Sequence, residues 1–112
     1  MRFIKPKYRS EANLQAEFYH QCHTVRLHPY LEYSYQGCRF DCVIIESDEI
    51  IAIIEVKSLP NAFNKQTQRQ MEKYNYFSEN TPVFLLTHNN QIHKIIGQIQ
   101  QIRKARKKKA CG

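Results

Sequence analysis

Several features that would assign the chain to other protein classes are absent from its sequence. No apolar run approaches the roughly 18 to 20 residues that a membrane-spanning helix needs. The opening residues, MRFIKPKYRS, lack the apolar stretch of a signal peptide. No linker divides the 112 residues and no internal repeat is present. We therefore expect one soluble, cytoplasmic domain over residues 1–112, too short to combine a catalytic domain with a separate recognition domain.

The sequence also contains no CxxC pair, and its four cysteines are scattered: Cys22, Cys38, Cys42 and Cys111. In a chain without a secretory signal, such thiols are expected to be reduced and partly buried rather than bridged. Three histidines surround Cys22 in the sequence, namely His20, His23 and His28. Their spacing matches none of the usual zinc-ligand pairs, which favours a helix end with polar histidines.

Positive charge is concentrated at the two ends of the chain. Of the net charge of +7, six positive charges lie in the segment RKARKKK, residues 103–109, which contains no acid. Four more basic residues lie in residues 1–9, so that residues 10–102 carry a net charge of −3. Basic ends of this kind are typical of nucleic-acid binding, although a solvated tail would have the same composition.

The hydrophobic pattern predicts an α/β fold. Apolar residues repeat at helical spacing after a capping Ser10, and two Val- and Ile-rich strands flank the polar turn ESDE, residues 46–49. The predicted order is helix, strand, strand, strand, helix, strand, helix. The corresponding ranges are 11–23, 30–35, 40–45, 50–57, 64–77, 83–87 and 91–108.

The hairpin RFDCVIIESDEIIAIIEVKS, residues 39–58, carries charged residues within apolar strands. Glu55 and Lys57 share parity, so they project from the same face of their strand. Folding about the turn brings Asp41 opposite residue 54 or 55, depending on whether the hairpin contains a bulge. Two carboxylates and a lysine are therefore expected to converge.

Two adjacent carboxylates repel each other, so they either share a proton or bind a cation. All-oxygen ligands suit Mg²⁺ or Mn²⁺ rather than zinc. An ion held in this way can activate water and stabilise charge on a phosphoryl oxygen, which indicates phosphodiester hydrolysis. A surface ion pair of little energetic value is the alternative interpretation.

Asp41 followed by Glu55, Val56 and Lys57 resembles the signature of the PD-(D/E)XK nuclease superfamily, which includes small resolvases and the VRR-NUC-like and RecB-like nuclease domains. Phe40 stands where that signature has proline. The resemblance implies a restriction-endonuclease-like core with a mixed central sheet. It also implies that Asp41, Glu55 and the Val56 carbonyl hold the metal while Lys57 assists the attacking water.

The resemblance further implies a glutamate on the first helix, for which Glu11 and Glu17 are candidates. With Leu14 at 0° and about 100° per residue, Glu11 lies near +60°, within the apolar stripe, and Glu17 near −60°, on its rim. Glu11 is therefore preferred, although an acid at a helix N-terminus also simply complements the dipole.

Gln70 and Tyr74 resemble the QxxxY motif of exonuclease-like members of the superfamily. Gln70 would orient the lysine or a DNA phosphate, and Tyr74 would stack or hydrogen-bond nearby. A solvent-facing glutamine and a core tyrosine are the alternative. The further residues expected to contact DNA are Arg39, Ser58, Arg103, Lys104, Arg106, Lys107, Lys108 and Lys109, with Arg39 open between a phosphate contact and a salt bridge.

The expected activity is Mg²⁺-dependent cleavage of branched, flapped or single-stranded DNA, directed by structure rather than sequence. By analogy with small resolvases, the protein is a possible homodimer. A non-catalytic nucleic-acid-binding module and a nuclease subunit that needs a partner for recognition are the competing functions.

Overall fold

The computed structural model of the protein describes residues 10–58, 64–77 and 81–111. One helix precedes three consecutive strands, a second helix and a fourth strand follow, and a short 3₁₀ turn, Asn89–Gln91, precedes the last helix. We label the elements α1 (Glu11–Thr24), β1 (Pro29–Tyr35), β2 (Cys38–Glu46), β3 (Glu49–Val56), α2 (Lys65–Phe77), β4 (Val83–Leu86) and α3 (Ile92–Cys111).

The four strands form one mixed sheet in the order β1-β2-β3-β4. Strand β2 pairs antiparallel with both β1 and β3. Strand β4 runs parallel to β3 after the crossover through α2. A parallel neighbour requires such a crossover because the chain must return to the same end of the sheet. The α/β class and the mixed sheet are therefore confirmed.

Apolar residues alternate along β3 between the two faces of the sheet. Ile54 and Val56 belong to the larger core cluster, together with buried residues of α1 and α3. Ile53 belongs to a second cluster on the opposite face, with Phe40 and Val43 of β2. Each large apolar side chain in these clusters contributes about 1.5–3 kcal/mol by leaving water. Burial on both faces explains why β3 is almost continuously apolar.

The helix α1 begins where the sequence predicts. The Ser10 hydroxyl accepts a hydrogen bond from the Asn13 N–H at 3.1 Å, which caps the first turn. Leu14, Phe18 and Cys22 then form its buried stripe. Arg26, two residues past the helix end, has a φ of 62°, a left-handed conformation that ends the helix and redirects the chain towards β1.

The hairpin between β2 and β3 has a tight turn and a bulge. Ser47 and Asp48 have φ values of 50° and 64°, as the two central residues of a type I′ turn require. The register shifts between Ile44 and Ile45, because Ile44 pairs with Ala52 while Ile45 pairs with Ile50. Ile51 is therefore the extra residue of the bulge.

The last helix is longer than expected. It continues to Cys111, so the basic segment predicted as a tail forms its final turns. Strand β3 ends one residue earlier than expected, at Val56, and Lys57 follows it. The basic residues 1–9 lie outside the described residues.

Three of the cysteines, Cys22, Cys38 and Cys42, are unbridged and buried, as predicted. Burial raises the pKa of the Cys22 thiol to about 12, so this side chain remains an apolar core group. Within the described ranges, no helix combines the length and apolar character required to cross a membrane.

Candidate active site

The bulge in the hairpin decides which residue lies opposite Asp41. Beyond the bulge, Cys42 pairs with Ile54, and the next position along each strand sets Asp41 level with Glu55. Without the extra residue, the register of the turn would have placed Asp41 opposite Ile54 instead. Facing residues of an antiparallel pair lie on the same side of the sheet, so the bulge brings the two carboxylates together.

The Asp41 carboxylate takes the place of a main-chain acceptor. The paired register of β2 and β3 ends at Cys42 and Ile54. At the next step the Val56 N–H donates to Asp41 Oδ2 at 2.8 Å. This hydrogen bond holds the carboxylate at the point where the two strands separate. It also satisfies a backbone donor that would otherwise be unpaired in a partly buried position.

Glu55 is the buried acid of this site. The residue is only 1% exposed although it carries an ionisable group. Its Oε1 lies 3.5 Å from the Lys57 Nζ. Its Oε2 is buried without a hydrogen-bond partner among the described residues. Burial and, second, the neighbouring Asp41 carboxylate raise the pKa of Glu55 to about 7, although Lys57 partly opposes the shift.

Lys57 connects the buried pair to solvent. It follows the last residue of β3, and its N–H donates to the Leu86 carbonyl of β4 at 3.0 Å. The main chain at Lys57 is thus held by the sheet while its side chain is 24% exposed. A cation at this position can meet a negatively charged substrate and still contact Glu55.

The donor set fits a divalent cation of the magnesium type. Glu55 Oε2 and the Asp41 carboxylate are both acceptors, so their contact requires either a shared proton or a cation. Mg²⁺ is commonly bound through one or two carboxylates and retains several waters, which these two side chains and the Val56 carbonyl would allow. Among the residues that the structure describes, no third histidine, cysteine or acid completes a metal-binding group.

Gln15 shows which edge of α1 lies beside Asp41. The Gln15 Nε2 donates to the main-chain oxygen of Asp41 at 2.7 Å. On the helical wheel Gln15 lies near +100°, beside Glu11 and far from Glu17. The Glu11 edge of α1 is thus the edge turned towards β2, which supports the preference for Glu11. One carboxylate oxygen of Glu17 is buried.

The role of Gln15 was not predicted from the sequence. A glutamine beside the apolar stripe of an amphipathic helix gives only a weak signal, because most such residues face solvent. The same amide also donates to Glu32 Oε1 at 3.3 Å. Glu32 has a φ of 50° in the middle of β1, at the position level with Asp41. The backbone of the edge strand is therefore irregular directly beside the site.

Other predicted site residues lie on β2, α2 and α3 or directly after β3. Arg39 Nε contacts Glu32 Oε2 at 3.1 Å, which favours the salt-bridge interpretation of Arg39. Ser58 follows Lys57 and is half-buried, and Gln70 is half-buried on α2. Tyr74 lies on α2 and Lys109 on α3, but their side chains fall outside the described ones.

The predicted basic residues of α3 divide into two groups. Arg103 and Arg106 are engaged in contacts within the protein. Lys104, Lys107 and Lys108 are exposed to solvent.

Comparison of the chain with protein-family models, with curated proteins and with solved structures finds no significant match.

Proposed function

We propose that the protein is a metal-dependent phosphodiesterase that cleaves DNA, built on the restriction-endonuclease-like core of the PD-(D/E)XK superfamily. One observation carries the proposal. A buried Glu55 faces Asp41 across two separating strands and contacts Lys57. Burying one carboxylate beside another destabilises the fold. The pair is therefore better explained by a chemical role than by a structural one.

The residues of the site divide the work between holding a cation and handling the substrate. Asp41, Glu55 and the Val56 carbonyl would hold Mg²⁺ or Mn²⁺. When bound, the ion would supply Lewis-acid activation of the phosphodiester and of a water. As a cation beside Glu55, Lys57 would stabilise the negative charge that develops on a phosphoryl oxygen. The hydrogen bond from the Val56 N–H fixes the orientation of the Asp41 carboxylate.

DNA of irregular structure is the proposed substrate class. Contacts with the phosphate backbone do not depend on base sequence, so shape rather than sequence would direct the cleavage. The exposed lysines of α3 provide the positive charge that a polyanionic substrate requires. Two copies acting across a junction remain a prediction that the mass of the free and DNA-bound protein would test.

The test is cleavage of linear, flapped and four-way-junction DNA by the full chain, with Mg²⁺ or with EDTA. We expect cutting only with Mg²⁺, and a loss of about a hundredfold or more in Asp41→Asn, Glu55→Gln and Lys57→Gln. Glu49→Gln is the matched control, because Glu49 lies on the same strand and its side chain is 63% exposed. Wild-type protein that cuts none of these substrates, or site variants that cut normally, would exclude the proposal.

The same assay decides between the two glutamates of α1. Because Gln15 ties the Glu11 edge of the helix to Asp41, we expect Glu11→Gln to slow cleavage more than Glu17→Gln. A fully active Glu11→Gln protein would remove Glu11 from the site. Circular dichroism of both variants shows whether α1 is intact.

A non-catalytic nucleic-acid-binding module is the second candidate. The observation that favours it is the exposed basic face of α3, which carries Lys104, Lys107 and Lys108 and could bind DNA without cutting it. In that case wild type and Glu55→Gln would bind DNA equally well. Neither protein would cut any substrate at any Mg²⁺ concentration.

A further inference from the structure

The final turns of α3 separate arginines from lysines by helix face. With Ile99 at 0° and about 100° per residue, Arg103 lies near +40° and Arg106 near −20°. Both fall within the range of the buried isoleucines, which spans about −40° to +60°. The three exposed lysines lie between about +80° and 180°. The arginines therefore continue the inward stripe of the helix, and the lysines lie outside it: Lys104, Lys107 and Lys108.

Arg103 attaches the helix to the end of α1. Its guanidinium donates to the Arg26 carbonyl at 2.9 Å and to the Val25 carbonyl at 3.4 Å. The same group lies 3.6 Å from Glu46 Oε1. Its side chain is only 21% exposed. Arg103 thus satisfies carbonyls at the end of α1 and is not available as a free surface charge.

Arg106 contributes to the same attachment at the hairpin turn. Glu46 and Glu49 are paired directly across the two strands, where like charges repel. Arg103 lies beside Glu46, and Arg106 forms an ion pair with Glu49. The two arginines therefore offset the two acids of the turn. Because the Arg106 and Glu49 side chains are 45% and 63% exposed, Arg103 contributes most of the attachment of α3.

The lysines have no such partners in the described part of the chain. No carboxylate of the described residues lies within ion-pairing distance of Lys104, Lys107 or Lys108, and all three side chains are exposed. An open groove on this side of α3 is lined, among described residues, by Gln100, Arg103, Lys104 and Lys107. The segment 103–109 contains no aromatic residue on which a base could stack.

We propose that Lys104, Lys107 and Lys108 form a contact surface for the phosphate backbone of duplex DNA, while Arg103 and Arg106 hold the helix in place. The choice of DNA rests on the proposed function. Three ammonium groups that have no ion-pair partner among the described residues match a backbone contact, which is independent of sequence. The segment RKARKKK thus combines two functions that its composition does not distinguish.

The experiment compares two double variants that lose the same charge, Lys104→Gln/Lys107→Gln and Arg103→Gln/Arg106→Gln. Binding of the full chain to a fluorescently labelled duplex is measured by anisotropy in EDTA over a salt series. The slope of log K against log salt is negative, and each lost phosphate contact makes it less steep by about 0.9. When salt rises from about 50 to about 200 mM, the lysine double variant should therefore lose roughly tenfold less affinity than the wild type loses.

The arginine pair should leave the salt slope within about half a unit of wild type and instead lower the melting temperature. Because that variant is at risk of misfolding, Arg106→Gln is compared with Lys108→Gln as a second pair with one charge removed. An equal drop in slope for arginine and lysine variants would overturn the division of roles. Binding to anionic lipid vesicles but not to duplex would overturn the choice of DNA.

Failure of this inference is separable from failure of the proposed function, because binding is measured without metal. A chain that binds duplex through the lysines but never cuts it excludes only the nuclease. A chain that cuts, and whose lysine variants keep the wild-type salt slope, excludes only the phosphate surface.

Discussion

Glu55 is the residue at which stability and the proposed function conflict most. Its carboxyl group is buried beside Asp41, and its Oε2 has no hydrogen-bond partner among the described residues. In the unfolded chain the group ionises near its ordinary pKa of 4.5, whereas in the folded chain the pKa is about 7. The folded state therefore binds a proton more tightly than the unfolded state does. Raising the pH removes that proton and destabilises the fold.

We expect Glu55→Gln to stabilise the protein at pH 8 in EDTA. Below about pH 4.5 both states of the wild type are protonated and the variant gains nothing from removing the charge. Between about 4.5 and 7 the wild type loses stability relative to the variant, up to a few kcal/mol by the size of the shift. Urea unfolding of both proteins across this pH range measures the difference.

Magnesium distinguishes a metal site from a merely strained acid. A cation bound to the folded chain adds stability by mass action, so Mg²⁺ should raise the unfolding midpoint of wild type at pH 8 but not that of Glu55→Gln. A stability difference between the two proteins that does not change with pH would contradict the ionisation argument for Glu55.

The β2–β3 hairpin is the element that assembles the site. Alternation and β-branched residues predict its two strands, and the polar segment between them predicts its turn. The bulge at Ile51 was open in the sequence, because a run of apolar residues does not show which of them is extra. It decides the register, and through the register it decides that Glu55 rather than Ile54 faces Asp41.

The turn of this hairpin requires a left-handed backbone conformation at Asp48. Because Asp48 has a φ of 64°, a side chain there is in a conformation that only glycine adopts at little cost. We expect Asp48→Gly to be more stable than Asp48→Ala by about 1 kcal/mol, measured by urea unfolding. Both variants remove the same charge, so electrostatic effects cancel in the comparison. Greater stability of the alanine variant would contradict the type I′ turn.

At the scale of the whole molecule, α3 connects parts of the chain that are distant in sequence. Its isoleucines enter the core shared with α1 and β3, and Arg103 contacts residues that precede it by 77 and 78 positions. The basic segment is therefore attached to the rest of the fold through Arg103 and Arg106.

Truncation of α3 at two points tests this connection. A chain ending at Ile102 loses the contacts of Arg103 with α1 and Glu46, so its free energy of unfolding should fall by about 1.5–3 kcal/mol. A chain that ends at Arg106 keeps both arginines and should unfold near the full-length midpoint. Thermal unfolding of both proteins provides the measurement, and equal stability of the two truncated chains would show that Arg103 contributes nothing.

The sequence by itself determined the elements and the charged residues of the candidate site. Helical and alternating periodicities are local properties, so they predict α1, the hairpin and α3, and they place Glu55 and Lys57 on one face. Only the tertiary structure decided the contacts between elements. The bulge set Asp41 opposite Glu55, Gln15 marked the edge of α1 that faces β2, and Arg103 proved to be a structural contact. Such contacts depend on long-range register and packing, which no local pattern of residues specifies.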